Sequence, residues 1–201
     1  HRNDAHKIVE ECMLCANVAT ARFLKKHKIP ALYRVHDGPS EERLSNLRLF
    51  LGELGLQLGG GDKPSSADYQ ALLGQVADRP DANVIQMVML RSLSQAVYSP
   101  EEAGHFGLGF ASYTHFTSPI RRYPDLIVHR AIKSRIHNPE ATKDLVSPKV
   151  HDPELAEYPY DFARMEQLGE HCSMTERRAD DATRDVMAWL KCEFLRDHVG
   201  E

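Results

Sequence analysis

HFTSPIRRYPDLIVHR, residues 115–130, gathers three arginines (Arg121, Arg122, Arg130) and two histidines (His115, His129) in a chain whose formal net charge is -4. Thr117 or Ser118 suits a helix N-cap and Pro119 the first helical position, which predicts Arg121 and Arg122 in the first turn. Pro124 then removes an intrahelical donor, so the helix kinks or restarts there. Cations at a helix N-terminus are unfavourable by roughly 0.3–1 kcal/mol, and a bound anion reverses that sign. Two readings stay open. The segment forms an anion site, or Arg121 pairs with Asp125 at i+4 and the remaining guanidiniums are solvated. His115 and His129, each single and near a helix, read as packing residues ahead of catalytic ones.

The rest of the chain sets no competing signal. Its 201 residues are 42% apolar and 27% charged, enough to bury a core without disulfide or metal staples. The near-balanced charge makes any anion site a local one. No apolar run approaches the roughly 18–20 residues of a membrane span, so no membrane partner is expected. The start, HRNDAHKIVEE, is charged and lacks both an initiator Met and a secretory signal, and it reads as a chain cut from something longer. Four cysteines and no signal point to a reducing cytoplasm. Cys12 and Cys15 form a C-x-x-C inside a helical pattern. The expected role is as packed small hydrophobes, with a zinc or redox site as the alternative.

Outward from the arginines the pattern is mostly helical. Asp4 is a candidate N-cap for a helix over 5–27, with Ile8, Cys12, Cys15, Val18 or Ala19, and Phe23 on its apolar face and Pro30 ending it. ALYRVH (31–36) alternates as a short strand. Ser40 caps a helix within 38–55 that carries Leu44, Leu47, Phe50 and Leu51. The following GLQLGGGDKPSS lacks the Lys-Ser/Thr ending of a phosphate loop and reads as a connection. Ser66 caps a helix near 67–77, and another runs over 81–97. Residues 98–126 are mostly loop, with a short strand at 105–108. Helix resumes over 126–135. A polar surface connection covers 138–153, and a last helical region covers 154–197 with a bend near Gly169. The fold class is α+β, predominantly helical, with a few short strands.

An anion site is not an enzyme by itself, since phosphodiester hydrolysis usually needs carboxylates to hold metal and orient water. Glu10 and Glu11 lie on the first helix and Glu176 on the last. A helical carboxylate usually does no more than face solvent, and Asp180 and Asp181 read that way.

YTHFTSPIRRYPDLIVHRAI (113–132) closely resembles a signature of the ribonuclease R and ribonuclease II family, nearer to its ribonuclease R branch. RNDAHKIVEECMLCANVATARFL (2–24), IPALYRVHDGPSEERL (29–44), LRSLSQAVYSPEEAGHFGLGF (90–110) and MTERRADDATRDV (174–186) fit the same family in the same order. The run TSPIRRYPDL is highly specific, and the resemblance covers nearly the whole chain. It implies a processive exoribonuclease that hydrolyses single-stranded RNA from the 3′ end to nucleoside 5′-monophosphates at a buried magnesium site. By the match, Arg121 corresponds to the arginine gripping the phosphate near the scissile bond. Glu176 corresponds to a catalytic-site glutamate and Glu10 to one lining the terminal nucleotide's pocket. Arg122 and Arg130 touch the RNA backbone or are structural. Phe116 and Tyr123 are able to stack on bases, with core packing the favoured role.

The resemblance also implies what this stretch lacks. The family's Mg2+ rests on aspartates in a D-x5-D-x-D-D type motif upstream, and no such motif occurs here. Cold-shock-type and S1-type RNA-binding domains have no counterpart. Residues 1–201 therefore read as the C-terminal portion of an RNB-type catalytic domain, with no metal ligands of its own. Its partners would be single-stranded RNA and the missing upstream part, and alone it would be inactive. Exposed apolar surface would favour self-association. The alternative is a non-catalytic RNA- or protein-binding module that uses segment 115–130.

Overall fold

The computed structural model describes residues 2–138 and 152–198, so the connection expected over 138–153 lies, but for its ends, outside the described residues. Seven helices and one two-stranded antiparallel ribbon are present among the described residues, together with short 3₁₀ turns. This is the α+β, predominantly helical class read from the sequence.

Helix α1 spans Asp4–Lys26. Its cap is Asn3 rather than Asp4, with the Asn3 side chain accepting from the His6 amide. The buried face is Asn17, Thr20, Ala21 and Leu24, not the stripe through Ile8, Cys12, Cys15 and Phe23. Cys12 and Cys15 are exposed, so the expectation that they pack as small hydrophobes is corrected. The physical reason is local. Among the described residues the C-terminal half of α1 is the part buried against the rest, and there the Asn17 amide clamps residues 113–116. It donates to the Tyr113 hydroxyl at 2.9 Å and accepts from the Phe116 amide at 3.0 Å.

Strand β1, Tyr33–Val35, pairs antiparallel with β2, Val97–Ser99, with Arg34 opposite Tyr98. The helix expected to run to 97 instead stops at Ser92, and the strand expected at 105–108 is a 3₁₀ turn, Phe106–Leu108. Val97 and Tyr98 favour extended backbone, and the pairing with β1 decides between two weak local preferences.

Between the strands, α2 (Glu41–Glu53), α3 (Ser66–Val76) and α4 (Ala82–Ser92) close their own core. Leu44, Leu47, Leu51, Leu72, Val76, Ile85 and Met89 fill it. Ser40 caps α2 as expected, and Ser65, not Ser66, caps α3 in a reciprocal capping box with Asp68.

Helix α5 covers Tyr123–His137, a short α6 Pro153–Ala156, and α7 Phe162–Leu195. The last helical region is interrupted between α6 and α7, and α7 runs unbroken through Gly169. A Cβ on Gly169 would lie 2.6 Å from the Tyr98 carbonyl oxygen, so this glycine serves close approach of α7 to β2. Leu24, Ala31, Val35, Val128 and Ala131 form one apolar layer beside the ribbon. Leu32, Tyr98, Ile127, Met165 and Cys172 form another. No helix among the described residues is long and apolar enough to cross a membrane.

Candidate functional site

The arginine segment folds as a turn followed by a fresh helix start. Pro119–Arg121 form the turn, and the Arg121 and Arg122 amides both donate to the Ser118 carbonyl, at 3.3 and 3.1 Å. Arg122 occupies the N-cap of α5 and Pro124 sits within its first two residues, so the helix restarts rather than kinks. Pro119 is not the first helical residue, because it lies in the turn before α5; Pro124, the second residue of the helix, needs no amide partner there.

Asp125 organises this corner. It is 0% exposed, and its carboxylate accepts from the Ser118 amide at 2.8 Å and from two nitrogens of Arg122 at 2.9 Å each. The carboxylate partner thus belongs to Arg122 at i,i+3, which corrects the reading that paired Arg121 with Asp125. A planar guanidinium reaches a buried carboxylate through two parallel bonds from this position. Arg121 is left exposed, with no carboxylate paired to its guanidinium among the described residues.

Glu176 approaches from α7. Gly169, Ser173 and Glu176 are spaced four and three residues apart, which puts them on one face of the helix. Gly169 closes on Tyr98, the Ser173 hydroxyl accepts from the Tyr98 amide at 2.9 Å, and Glu176 Oε2 accepts from Arg34 Nη1 at 2.6 Å. The Arg34 guanidinium lies 4.5 Å from the centre of the Tyr98 ring, a cation–π arrangement. The Tyr98 hydroxyl in turn bonds His115 Nδ1 at 2.9 Å.

Electrostatics bind these parts into one site. Burial first, then Arg122, Arg34, His105 and Arg121, push the His115 pKa down to about 3, so its imidazole is neutral near pH 7. Burial first pushes the Tyr98 hydroxyl up to about 12, with Glu176 and Asp125 adding to the rise and Arg34 and Arg122 opposing it. Arg34 lies over the Tyr98 ring and holds Glu176, while Asp125 holds Arg122 and the Ser118 amide at the turn that follows His115. Two of the arginines are neutralised by carboxylates, and Arg121 supplies the uncompensated charge.

The other expected site residues lie elsewhere or are occupied. Glu10 sits on the exposed half of α1, paired to Arg2 at 2.6 Å, and is seven residues (about 10 Å of helix rise) before Asn17. No contact among the described residues joins it to the Tyr98–His115 cluster. Arg130 Nη1 donates to the Tyr160 hydroxyl at 2.6 Å and its guanidinium lies over the same ring. Phe116 stacks on His129 at 4.2 Å and packs on the core, whereas Tyr123 is exposed, which corrects its expected burial. His129 Nε2 bonds the Phe116 carbonyl and is satisfied.

Arg34, Tyr98 and Ser173 were missed in the sequence, and Asp125 was read only as a partner of Arg121. Arg34 had a signal, since the alternation of ALYRVH sets it on the face opposite Tyr33 and Val35. Among the described residues no group of three or more His, Cys, Asp and Glu side chains could hold a metal ion, and Cys12 and Cys15 gather no further ligands. The donors of the described residues do not fit a magnesium ion, which requires several converging oxygens.

Comparison with known proteins follows this geometry. A profile of the RNB domain matches residues 1–138. The chain is 55% identical over 199 residues to ribonuclease R of Escherichia coli strain K12, covering 99% of this chain and 24% of that protein. It is 57% identical over 201 residues to ribonuclease R of Vibrio cholerae, covering 100% of this chain and 24% of the relative. In three dimensions it resembles Mycoplasma genitalium RNase R solved in complex with ribose-methylated single-stranded RNA. That TM-score is 0.83 at 30% identity, covering 100% of this chain and 30% of the other. The chain thus spans about a quarter of the length of the curated relatives it matches.

Proposed function

The chain belongs to the RNB-domain family, and we propose that it is the C-terminal portion, residues 1–201, of the catalytic domain of a processive 3′-to-5′ exoribonuclease. The whole enzyme hydrolyses single-stranded RNA to nucleoside 5′-monophosphates in the cytoplasm. This segment contributes the phosphate grip and one carboxylate of the site. The observation that carries the reading is the exposed, uncompensated Arg121 beside a cluster that also holds Glu176.

In this reading Arg121 binds a backbone phosphate next to the scissile bond. Arg122 and Asp125 fix the turn that presents it. Glu176 orients water or the leaving hydroxyl through its carboxylate. Arg130 adds positive charge along the RNA path while leaning on Tyr160. Glu10 lines the terminal nucleotide's pocket, in company with residues of the upstream part. Magnesium, when bound by the whole domain, would neutralise charge on the reacting phosphate. By the family resemblance, its ligands would come from the upstream part of that domain.

The test uses 5′-labelled single-stranded RNA with magnesium. The chain is incubated alone and mixed with a separately made upstream segment. Degradation only in the mixture, and lost with Glu176→Ala, is the expected result. Degradation by the chain alone, also lost in that variant, overturns the divided site. Salt-sensitive RNA binding weakened by Arg121→Ala, with hydrolysis in neither arm, favours the non-catalytic binding module instead.

A further inference from the structure

We propose that Arg34 is a positioning residue that sets the Glu176 carboxylate for the hydrolytic step. The inference rests on the reading of Glu176 as a catalytic group.

Arg34 is the fixed member of the pair. Its backbone amide donates to the Tyr113 carbonyl at 2.9 Å, and it sits in the middle of β1 with Tyr98 opposite. Its guanidinium is laid over the Tyr98 ring. Tyr98 is held at two points, its backbone amide by Ser173 and its hydroxyl by His115. The Arg34 side chain is 14% exposed and that of Glu176 36%. A glutamate on a helix surface normally samples several rotamers. Here a rigid donor 2.6 Å from Oε2 selects one of them.

The pairing is also one-sided. Oε2 is held, while Oε1 makes no hydrogen bond among the described residues. One oxygen is anchored and the other is left to accept a hydrogen bond from water or from a departing hydroxyl. A carboxylate that must point at a reacting atom needs this arrangement, because misplacement by about 1 Å can cost about a hundredfold in rate. Arg121 has the complementary role: it carries no such anchor and remains open to phosphate.

Two other roles for Arg34 would leave different signatures. As a direct phosphate ligand it would act on RNA affinity. As a strut it would act on stability, and its effect on rate would be independent of Glu176.

The test is a double-mutant cycle in the full-length protein that carries this segment. Nucleotide release is measured at saturating and subsaturating single-stranded RNA for Arg34→Gln, Arg34→Lys, Glu176→Gln and the double variants. Arg34→Gln is expected to lower kcat about 10- to 100-fold with KM within about twofold. Arg34→Lys keeps the charge without the planar fork, and is expected to lose about three- to tenfold. Each double variant is expected to turn over no slower than Glu176→Gln alone, within about twofold. Should Arg34→Gln not fold, the Arg34→Lys cycle is read the same way. Losses that multiply, or a raised KM with kcat intact, overturn the proposal. A defective Glu176→Gln beside a normal Arg34→Gln overturns the positioning role alone. A normal Glu176→Gln overturns the catalytic reading of Glu176 and this inference with it.

Discussion

Around the β1–β2 ribbon, Leu24, Leu32, Ile127, Val128 and Met165 are fully buried, and the charges of Arg34, Arg122, Asp125 and Glu176 have partners within hydrogen-bond distance. Along α7 beyond Glu176 the opposite holds. Val186, Met187, Trp189, Leu190 and Phe194 are all exposed, as are Ile8, Val9 and Met13 on the outer half of α1. Both regions are helical and both carry apolar side chains. The difference lies in what faces them. Near the ribbon, elements of this chain supply the second layer. At the outer ends nothing among the described residues does, and isolated helices draw little stability from propensity alone. The ribbon region should therefore be sensitive to single substitutions in this chain, and the outer ends tolerant.

The largest effect is expected at Asp125. Asp125→Ala strips a buried carboxylate from Arg122 and the Ser118 amide, and should destabilise the chain by about 3–5 kcal/mol. Urea unfolding followed by circular dichroism measures it. A loss below about 1 kcal/mol would mean that the corner is held by something else. Gly169→Ala comes next. Alanine gains about 1 kcal/mol in helix propensity, but its Cβ would meet the Tyr98 carbonyl at 2.6 Å and the Leu32 side chain at 3.2 Å. Overpacking of this kind costs about 1–3 kcal/mol, so a net loss is expected. A stabilised variant would show that α7 can shift on β2 freely.

The same region carries a pH signature. His115 is pushed down to about 3 and His105 to about 4, in both cases by burial first, from an ordinary value of 6.5. The unfolded chain takes up these protons before the folded one does. Stability is therefore fully present above about pH 6.5, falls as pH drops toward about 4, and for His115 continues falling toward about 3. Replacing His115 by Gln should flatten the decline of the urea midpoint between pH 6 and 4.5. An unchanged slope would mean that His115 is not the group excluded from protonation.

The ribbon region was only partly legible. The strand 31–36 could be read because ALYRVH alternates, and Ser40 could be read as a cap because an apolar period follows it. Strand β2 could not, since three residues after a helical pattern become a strand only when β1 lies beside them. The α1 face was misread for a related reason. Its apolar residues occur on more than one side, and the buried side is chosen by Asn17, a polar residue whose partners are about a hundred positions away. Arg121 and Glu176 were raised above ordinary surface charges only by resemblance to the ribonuclease R and ribonuclease II family. Spacing alone could not name Arg34 as the partner of Glu176, because 142 residues separate them.

The smallest effect on stability is expected at the outer end of α7. Trp189 is 64% exposed and Phe194 72%, so replacing both with Gln should change the unfolding free energy by no more than about 0.5 kcal/mol. Leu24→Ala, at a fully buried site, should cost about 2–5 kcal/mol by comparison. Association should respond in the reverse order. A helix that exposes Trp189, Leu190 and Phe194 has apolar area to lose to a second copy, so light scattering at rising concentration should show self-association that the double Gln variant reduces. A monodisperse chain at high concentration would remove that expectation. A double Gln variant as damaging as Leu24→Ala would break the comparison itself, because α7 would then be packed along its whole length in solution.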